Sequence, residues 1–378
     1  GTTWVPGGAL SQAASLGGIY WLTLLTVFVM AAPAAMVDTR DARGLVLRIA
    51  PSFGAVILLA VGWAWGAQRI AAPSPLTEQS VVLMDSGVPQ DEKWEVGPDP
   101  VMIEYLRMMT NGESKPGDII VWPEGAVPTS LLNDINALDA IGAYLGPRTL
   151  IAGTTRYQLE EQNERAYFNS LVVLDENVSR SGAVALYDKF RLVPFGELAA
   201  AEIVPFGQAL SDYLPGAMQQ LARNGFRPGT GPAVIFADNV PPFVALICYE
   251  GLYPEITRAA NLAARADWIV LVSNDAWFGG GMGPAQHYAQ NRYRSIESGL
   301  PMVRVASRGA SAIIDGYGRE VLRATPVQDA PTGWNTTFGR GKLPAPAEVT
   351  LFQSRAGIVL FWLTLAAFVG LAFASWRR

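Results

Sequence analysis

Three long stretches carry no charged residue, Ala13–Val37, Ile49–Ala67 and Ala356–Ser375, and each approaches the roughly 20 apolar residues that cross a bilayer's hydrocarbon. A chain built this way cannot be an ordinary soluble globule. Its composition agrees, with 50% hydrophobic residues and 16% charged, against roughly 25% charged in soluble domains. The connection Asp38–Arg48 holds Arg40, Arg43 and Arg48, and the chain ends Trp376-Arg377-Arg378. The positive-inside rule puts both on the cytoplasmic face. Residues 68–355 then lie across the membrane, which in a bacterium means a multi-pass inner-membrane protein with its large region in the periplasm. The expected organisation is a membrane region over 1–70 with helices at 13–37 and 49–67, a catalytic domain over 71–350, and a membrane helix within 351–378. The chain starts with Gly1 and enters an apolar segment almost at once, so a processed or truncated product is expected.

Between the spans, short β-rich runs alternate with helical patterns, which reads as one α/β domain. The strands expected are Ser80–Met84, Ile119–Trp122, Thr149–Thr154, Ser170–Leu174, Val184–Tyr187, Ala233–Ala237, Phe243–Cys248, Trp268–Ser273, Met302–Ala306 and Ala312–Asp315. Helices are expected over Pro100–Thr110, Leu131–Leu145, Pro254–Ala266 and Pro284–Ser298. The segment Leu198–Pro232, rich in Gly and Pro around Phe206, Leu214 and Phe226, reads as a long loop or an apolar, membrane-facing gate. A net charge of -5 excludes the basic stripe that a nucleic-acid partner needs.

Cys248 is the sole cysteine, so no intrachain disulfide can form. It closes the apolar run Pro242–Ile247 as a displayed nucleophile would. Glu124 follows the strand Asp118–Trp122, and Lys189 follows Ala183–Tyr187. The sole histidine, His287, reads better as a structural residue than as a partner base. One His and one Cys cannot furnish a zinc set, so no metal is expected. A carboxylate base for a thiol faces a gap of about 4 pKa units, worth on the order of 6 kcal/mol. Burial is expected to raise Glu124, while Lys189 and the start of the helix after Pro254 are expected to lower Cys248. Lys189 can also stabilise an oxyanion.

The motifs Trp122-Pro-Glu-Gly125, Tyr187-Asp-Lys-Phe-Arg-Leu-Val-Pro-Phe-Gly-Glu197, Ile247-Cys-Tyr-Glu250 and Ser273-Asn-Asp-Ala-Trp-Phe-Gly279 resemble the nitrilase, or carbon–nitrogen hydrolase, superfamily. With the apolar spans and the Gly283-Pro-Ala-Gln-His287 helix, the chain is similar over nearly all its length to the membrane-bound apolipoprotein N-acyltransferase branch. That resemblance implies an α-β-β-α sandwich flanked by transmembrane helices, with Glu124 as general base, Lys189 as oxyanion partner and Cys248 as the acylated nucleophile. Glu197 and Glu250 match supporting carboxylates, and Trp277 with Phe278 a motif near the acyl site. The implied reaction is a ping-pong transfer from a phospholipid, through a thioester, to the amino group of a diacylglyceryl-cysteine on a lipoprotein, with no cofactor and a monomeric enzyme. The family usually has more spans than the three here, so leading ones are expected to be absent. Met84-Asp-Ser-Gly-Val-Pro-Gln90 and Ser307-Arg-Gly309 depart from the family's usual strand ends without removing a catalytic residue. The alternatives are a membrane-anchored amidase with water as acceptor, and a non-catalytic nitrilase-fold scaffold.

Overall fold

The computed structural model describes residues 1–37, 45–111, 113–160, 164–194, 196–198, 225–279, 281–328 and 330–376. In chain order the strands are β1 Leu76–Asp85, β2 Ile119–Trp122, β3 Thr149–Leu159, β4 Arg165–Leu174, β5 Ala185–Asp188, β6 Val234–Ala237, β7 Val240–Ile247, β8 Trp268–Asn274, β9 Met302–Ser307, β10 Ala312–Ile314, β11 Glu320–Arg323, β12 Thr325–Pro326 and β13 Thr337–Pro344. The longer helices are α1 Ala14–Ala31, α2 Leu45–Ile70, α3 Gln90–Val96, α4 Pro98–Thr110, α5 Ile135–Leu145, α6 Pro254–Ala263, α7 Gly283–Ser298 and α8 Arg355–Trp376.

The strands form two sheets, ordered β12-β13-β1-β2-β3-β4-β5 and β11-β10-β9-β8-β7-β6. Each has three parallel strands at its centre, β1-β2-β3 and β7-β8-β9, with antiparallel neighbours on both sides. Central parallel strands are covered on both faces and so read as unbroken apolar runs. Every residue of β2 and of β8 is buried.

Alternate side chains go to opposite faces of a strand, and this builds four layers. Val81, Leu83, Ile119 and Val121 meet Phe243, Ala245, Ile247 and Val270 between the sheets. Val82, Met84, Ile120 and Trp122 turn the other way, onto Val101, Tyr105 and Met108 of α4 and Ile141 of α5. Val244, Leu246 and Ile269 pack outward on Ile256 and Ala260 of α6 and Tyr288 of α7. The result is the expected α-β-β-α sandwich.

Several boundaries differ from the sequence expectation for local reasons. α5 begins at Ile135 because the Asp134 side chain caps it, accepting from the Asn136 and Ala137 amides; Leu131–Asn133 is a separate 3₁₀ turn. α6 ends at Ala263, short of Ala266. β13 went unforeseen because Gly339 and Gly341 interrupt its alternation, yet it pairs with β1 from Val81 to Asp85. β11, β12 and α3 were likewise unforeseen.

The apolar segments are helical and pack on one another and on the sandwich. Leu10–Met36 and Arg48–Ile70 are long and apolar enough to cross a membrane by length and composition, whereas the apolar stretch of α8, Arg355–Gly370, is shorter. Phe28 and Phe368 stack at 5.5 Å, and Trp21 Nε1 donates to Thr364 Oγ1 at 2.9 Å. Outward they expose Val27, Met30, Phe53, Val56, Val61, Trp63, Trp362 and Leu363, an apolar surface that suits lipid. Arg40, Arg43, Arg377 and Arg378, on which the orientation argument rests, lie outside the described residues.

α1 kinks at Gly18, where φ is 78°, freeing the Ile19 amide. The Glu297 carboxylate of α7 accepts that amide at 2.7 Å, with Arg294 at 2.7 Å from the same carboxylate. Burial pushes Glu297 up to about 7 against the pull of Arg294. A Cβ on Gly18 would lie 2.5 Å from the Phe352 ring. Gly18→Ala should therefore combine a left-handed backbone penalty with a clash and cost about 1–3 kcal/mol, read as a lowered unfolding midpoint in detergent. An unchanged midpoint would show that the kink is not what docks α1 on the sandwich.

Candidate active site

The expected site residues converge at the carboxyl ends of strands, Glu124 and Cys248 at those of the central parallel strands, where open parallel sheets present their ligand sites, and Lys189 at that of the edge strand β5. Glu124 follows β2, Lys189 follows β5, Cys248 follows β7 and Asp275 follows β8. Because the sheets stack face to face, these ends adjoin across the sandwich: the backbone amide of Asn274, from the second sheet, donates to Glu124 Oε2, from the first, at 2.8 Å.

Lys189 is 1% exposed. Its Nζ donates to Glu124 Oε1 at 3.2 Å and to Glu197 Oε1 at 2.8 Å. Burial disfavours its ammonium, but the two carboxylates more than offset this and hold its pKa above the ordinary value. Asn169 Nδ2 bridges the same carboxylate oxygens, at 2.7 Å from each. Glu197 Oε2 also accepts from the Val193 amide at 2.8 Å. Asn169 escaped the sequence reading, although a polar residue facing inward from β4 among apolar neighbours is a usable signal.

Cys248 is not the last residue of its strand, as expected, but the first of a 3₁₀ turn, Cys248–Leu252. It takes φ 50°, a conformation rare outside glycine, and the half-buried thiol is thereby turned out of the sheet at a sharp elbow. Burial pushes the thiol up to about 12, helped by the Glu124 charge and opposed by Lys189 and a hydrogen bond from Ser273. This reverses the expected lowering. The Lys189 charge is already shared by two carboxylates, so the cluster facing the sulfur is net negative.

Two networks hold the elbow. Buried Glu250 accepts from Tyr187 Oη at 2.8 Å, the Phe190 and Arg191 amides at 2.8 and 3.0 Å, and the Ile247 amide at 2.8 Å. It ties the Lys189 loop to the Cys248 turn, and burial leaves its pKa raised against those donors. Behind the elbow, Asp275 lies between Arg304 Nη2 at 2.8 Å and His287 Nδ1 at 3.0 Å. Burial alone would raise Asp275, but the Arg304 guanidinium and the hydrogen bond with His287 bring it down to about 2. His287 Nε2 lies 3.3 Å from the Cys248 carbonyl oxygen, so the ring contacts the backbone of the elbow, as a structural histidine would. Arg304 and Asp275 were not foreseen as parts of this scaffold.

Trp277 and Phe278 follow Asp275 and are 61% and 46% exposed. They are surface aromatics beside the elbow, and Phe278 lies 5.5 Å from the His287 ring. Of the expected gate, Phe206 and Leu214 lie outside the described residues. Phe226, expected to be exposed, is half-buried and its amide donates to the Glu197 carbonyl at 2.7 Å.

Sandwich and site together have the layout of the carbon–nitrogen hydrolase class. Residues 103–329 match the carbon-nitrogen hydrolase family. The chain is 36% identical over 325 residues to an apolipoprotein N-acyltransferase of Bradyrhizobium diazoefficiens, covering 82% of this chain and 58% of that protein. It is 34% identical over 392 residues to one of Brucella melitensis, covering 99% of this chain and 68% of that protein. A carbon-nitrogen hydrolase crystal structure from Helicobacter pylori aligns with a TM-score of 0.48 and 13% identity over 69% of this chain and 88% of that one. The chain belongs to the carbon–nitrogen hydrolase family, in its apolipoprotein N-acyltransferase branch. It spans 58% of the Bradyrhizobium relative's length and 68% of the Brucella relative's.

Since Glu124 is the leading charge that raises the Cys248 thiol, Glu124→Gln should lower the thiol pKa. The rate of alkylation by iodoacetamide should then begin its rise at a lower pH than in the wild type. An unmoved profile would show that the carboxylate's field does not reach the sulfur.

Proposed function

We propose that this chain carries the acyl-transfer machinery of a membrane-bound lipoprotein N-acyltransferase. The observation that carries this reading is the buried Glu124–Lys189–Glu197 cluster beside the Cys248 elbow, in a domain on which lipid-suited apolar helices are docked. One ammonium and two carboxylates leave the cluster one proton short of neutrality. Of the two carboxylates, Glu124 carries the charge felt by the thiol, so a proton released from sulfur restores neutrality there.

With the thiol protonated at rest, proton loss accompanies attack. Glu124 takes the Sγ proton as sulfur bonds to the ester carbonyl carbon of a phospholipid. The negative charge that develops on the carbonyl oxygen is stabilised by the Lys189 ammonium, which has three donors and uses two on the carboxylates. Collapse breaks the ester carbon–oxygen bond, and Glu124 returns the proton to the leaving glycerol oxygen, giving lysophospholipid and a Cys248 thioester. The α-amino group of a diacylglyceryl-cysteine at a lipoprotein N-terminus then attacks that carbonyl. Glu124 accepts a proton from the amine, an amide forms, and sulfur leaves and is reprotonated. Every step uses side chains already present, with one site serving both lipid substrates in turn. Glu197 holds Lys189, Glu250 holds the elbow, and the exposed Trp277 and Phe278 offer an apolar contact to the acyl chain.

In this reading residues 1–70 and 351–378 are membrane regions and 71–350 the catalytic domain, monomeric and facing the periplasm from the inner membrane. Reporters of compartment fused after Arg378 and within residues 160–164 should read cytoplasm and periplasm respectively. The reverse pattern would overturn the orientation.

Incubation with phospholipid should leave an acyl adduct on Cys248 by mass spectrometry, and added lipopeptide should discharge it. An adduct released only to water would mark a hydrolase instead. Cys248→Ser should abolish lipopeptide acylation, and Glu124→Gln and Lys189→Met should each lower it by about 10²–10⁴-fold. His287→Ala should cost much less. Equal loss in the histidine and glutamate variants would replace this scheme with a Cys–His one.

A further inference from the structure

Glu124 stands on a tight turn, Trp122–Ala126, and its usefulness depends on how that turn is held. Three contacts brace the backbone. The Ala126 amide donates to the Gly153 carbonyl at 3.1 Å. Gly153 itself must lack a side chain, since a Cβ there would lie 2.5 Å from Glu124 Cα. The third brace is Lys93, whose Nζ donates to the Gly125 carbonyl. Lys93 is 3% exposed, and burial pushes its ammonium down to about 8 although Asp85 and Glu124 pull it upward. An ammonium buried at such a cost on a backbone carbonyl next to the candidate base is a buried ionisable group that the acyl-transfer scheme leaves unused.

The same helix reaches the other side of the carboxylate. Gln90 lies one turn before Lys93 on α3, and Oε1 of Gln90 accepts from Asn274 Nδ2 at 3.0 Å. Asn274 is the residue whose amide holds Glu124 Oε2 at 2.8 Å. Residues three apart share a helix face, so a single turn of α3 engages the chain beneath Glu124 and the donor above it.

We propose that Lys93, with Gln90, is a positioning residue for the acyl-transfer site: from one face of α3 the two side chains clamp the turn and the amide donor that together fix the Glu124 carboxylate. The proposal rests on the assignment of Glu124 made above and adds the element that holds it in register. It assigns α3 a part in the chemistry without contact with the reacting atoms.

The test is a double-mutant cycle on the full chain in detergent, reading acylation of Cys248 by a short-chain p-nitrophenyl ester as the nitrophenolate burst, with intact mass to confirm the adduct. Lys93→Met should slow the burst about 10–100-fold while the half-saturating ester concentration stays within about twofold. Combined with Glu124→Gln, it should add less than about threefold to the loss of Glu124→Gln alone, because both variants disable one group. Gln90→Leu should slow the burst by about 3–10-fold with the same non-additivity, and it serves if Lys93→Met does not fold. Multiplicative losses, a wild-type burst in Lys93→Met and Gln90→Leu, or an effect confined to half-saturation would overturn the clamp. The burst needs neither phospholipid nor lipoprotein. A cycle that behaves as expected in a protein that transfers no acyl chain to lipopeptide would thus refute the transferase and keep the clamp, and the opposite pattern would refute the clamp alone.

Discussion

A single buried ammonium organises this protein. Lys189 sits out of water between Glu124 and Glu197, and an unpaired charge there would be prohibitively costly. The surrounding donors and acceptors therefore have to be complete: Asn169 bridges both carboxylates, while the Asn274 and Val193 amides take their outer oxygens. Removing any one partner leaves a buried charge short of its hydrogen bonds. The residues involved come from both sheets and from two loops, so the cluster is complete only when the sandwich has closed, and its geometry is as rigid as the packing around it.

The same cluster adds to the effect of burial on the Cys248 thiol. A lysine beside a cysteine is commonly taken to favour thiolate, and taken as a pair Lys189 and Cys248 would do so. Burial and the Glu124 charge outweigh that lysine, and the thiol rises to about 12. The arrangement favours the protonated thiol.

Helix α7 links this chemistry to the apolar helices. His287, Asn291 and Arg294 recur at helical spacing along one face; the first reaches the Cys248 carbonyl, the second binds Arg304 Nε at 2.7 Å, and the third donates to the Leu252 carbonyl at 2.8 Å. One turn on, Glu297 binds the amide freed by the kink in α1. The Cys248 elbow and the apolar helix are thus braced by the same rod.

Much of the plan was legible in the linear sequence. The uncharged runs disclosed the apolar helices because that signal needs only composition over a window. The central strands stood out because they are buried on both faces and hence apolar throughout, and Glu124 and Cys248 each follow such a run, while Lys189 follows the edge strand β5. Local order could not show what sits beside what. β13 was hidden by glycines at positions where it packs closely, and the helix start at Ile135 was decided by a cap. Asn169, Asp275, Arg304 and Lys93 are polar residues whose meaning lies in partners distant along the chain. The left-handed turn at Cys248 is local backbone, whereas the upward shift of its thiol followed from two sheets packing face to face, because that contact buries the sulfur of one sheet and brings it the Glu124 charge of the other. The sequence by itself determined which side chains were available and on which strand ends they stand; the tertiary structure decided their charges, since electrostatic energy depends on distances and burial that no linear pattern contains.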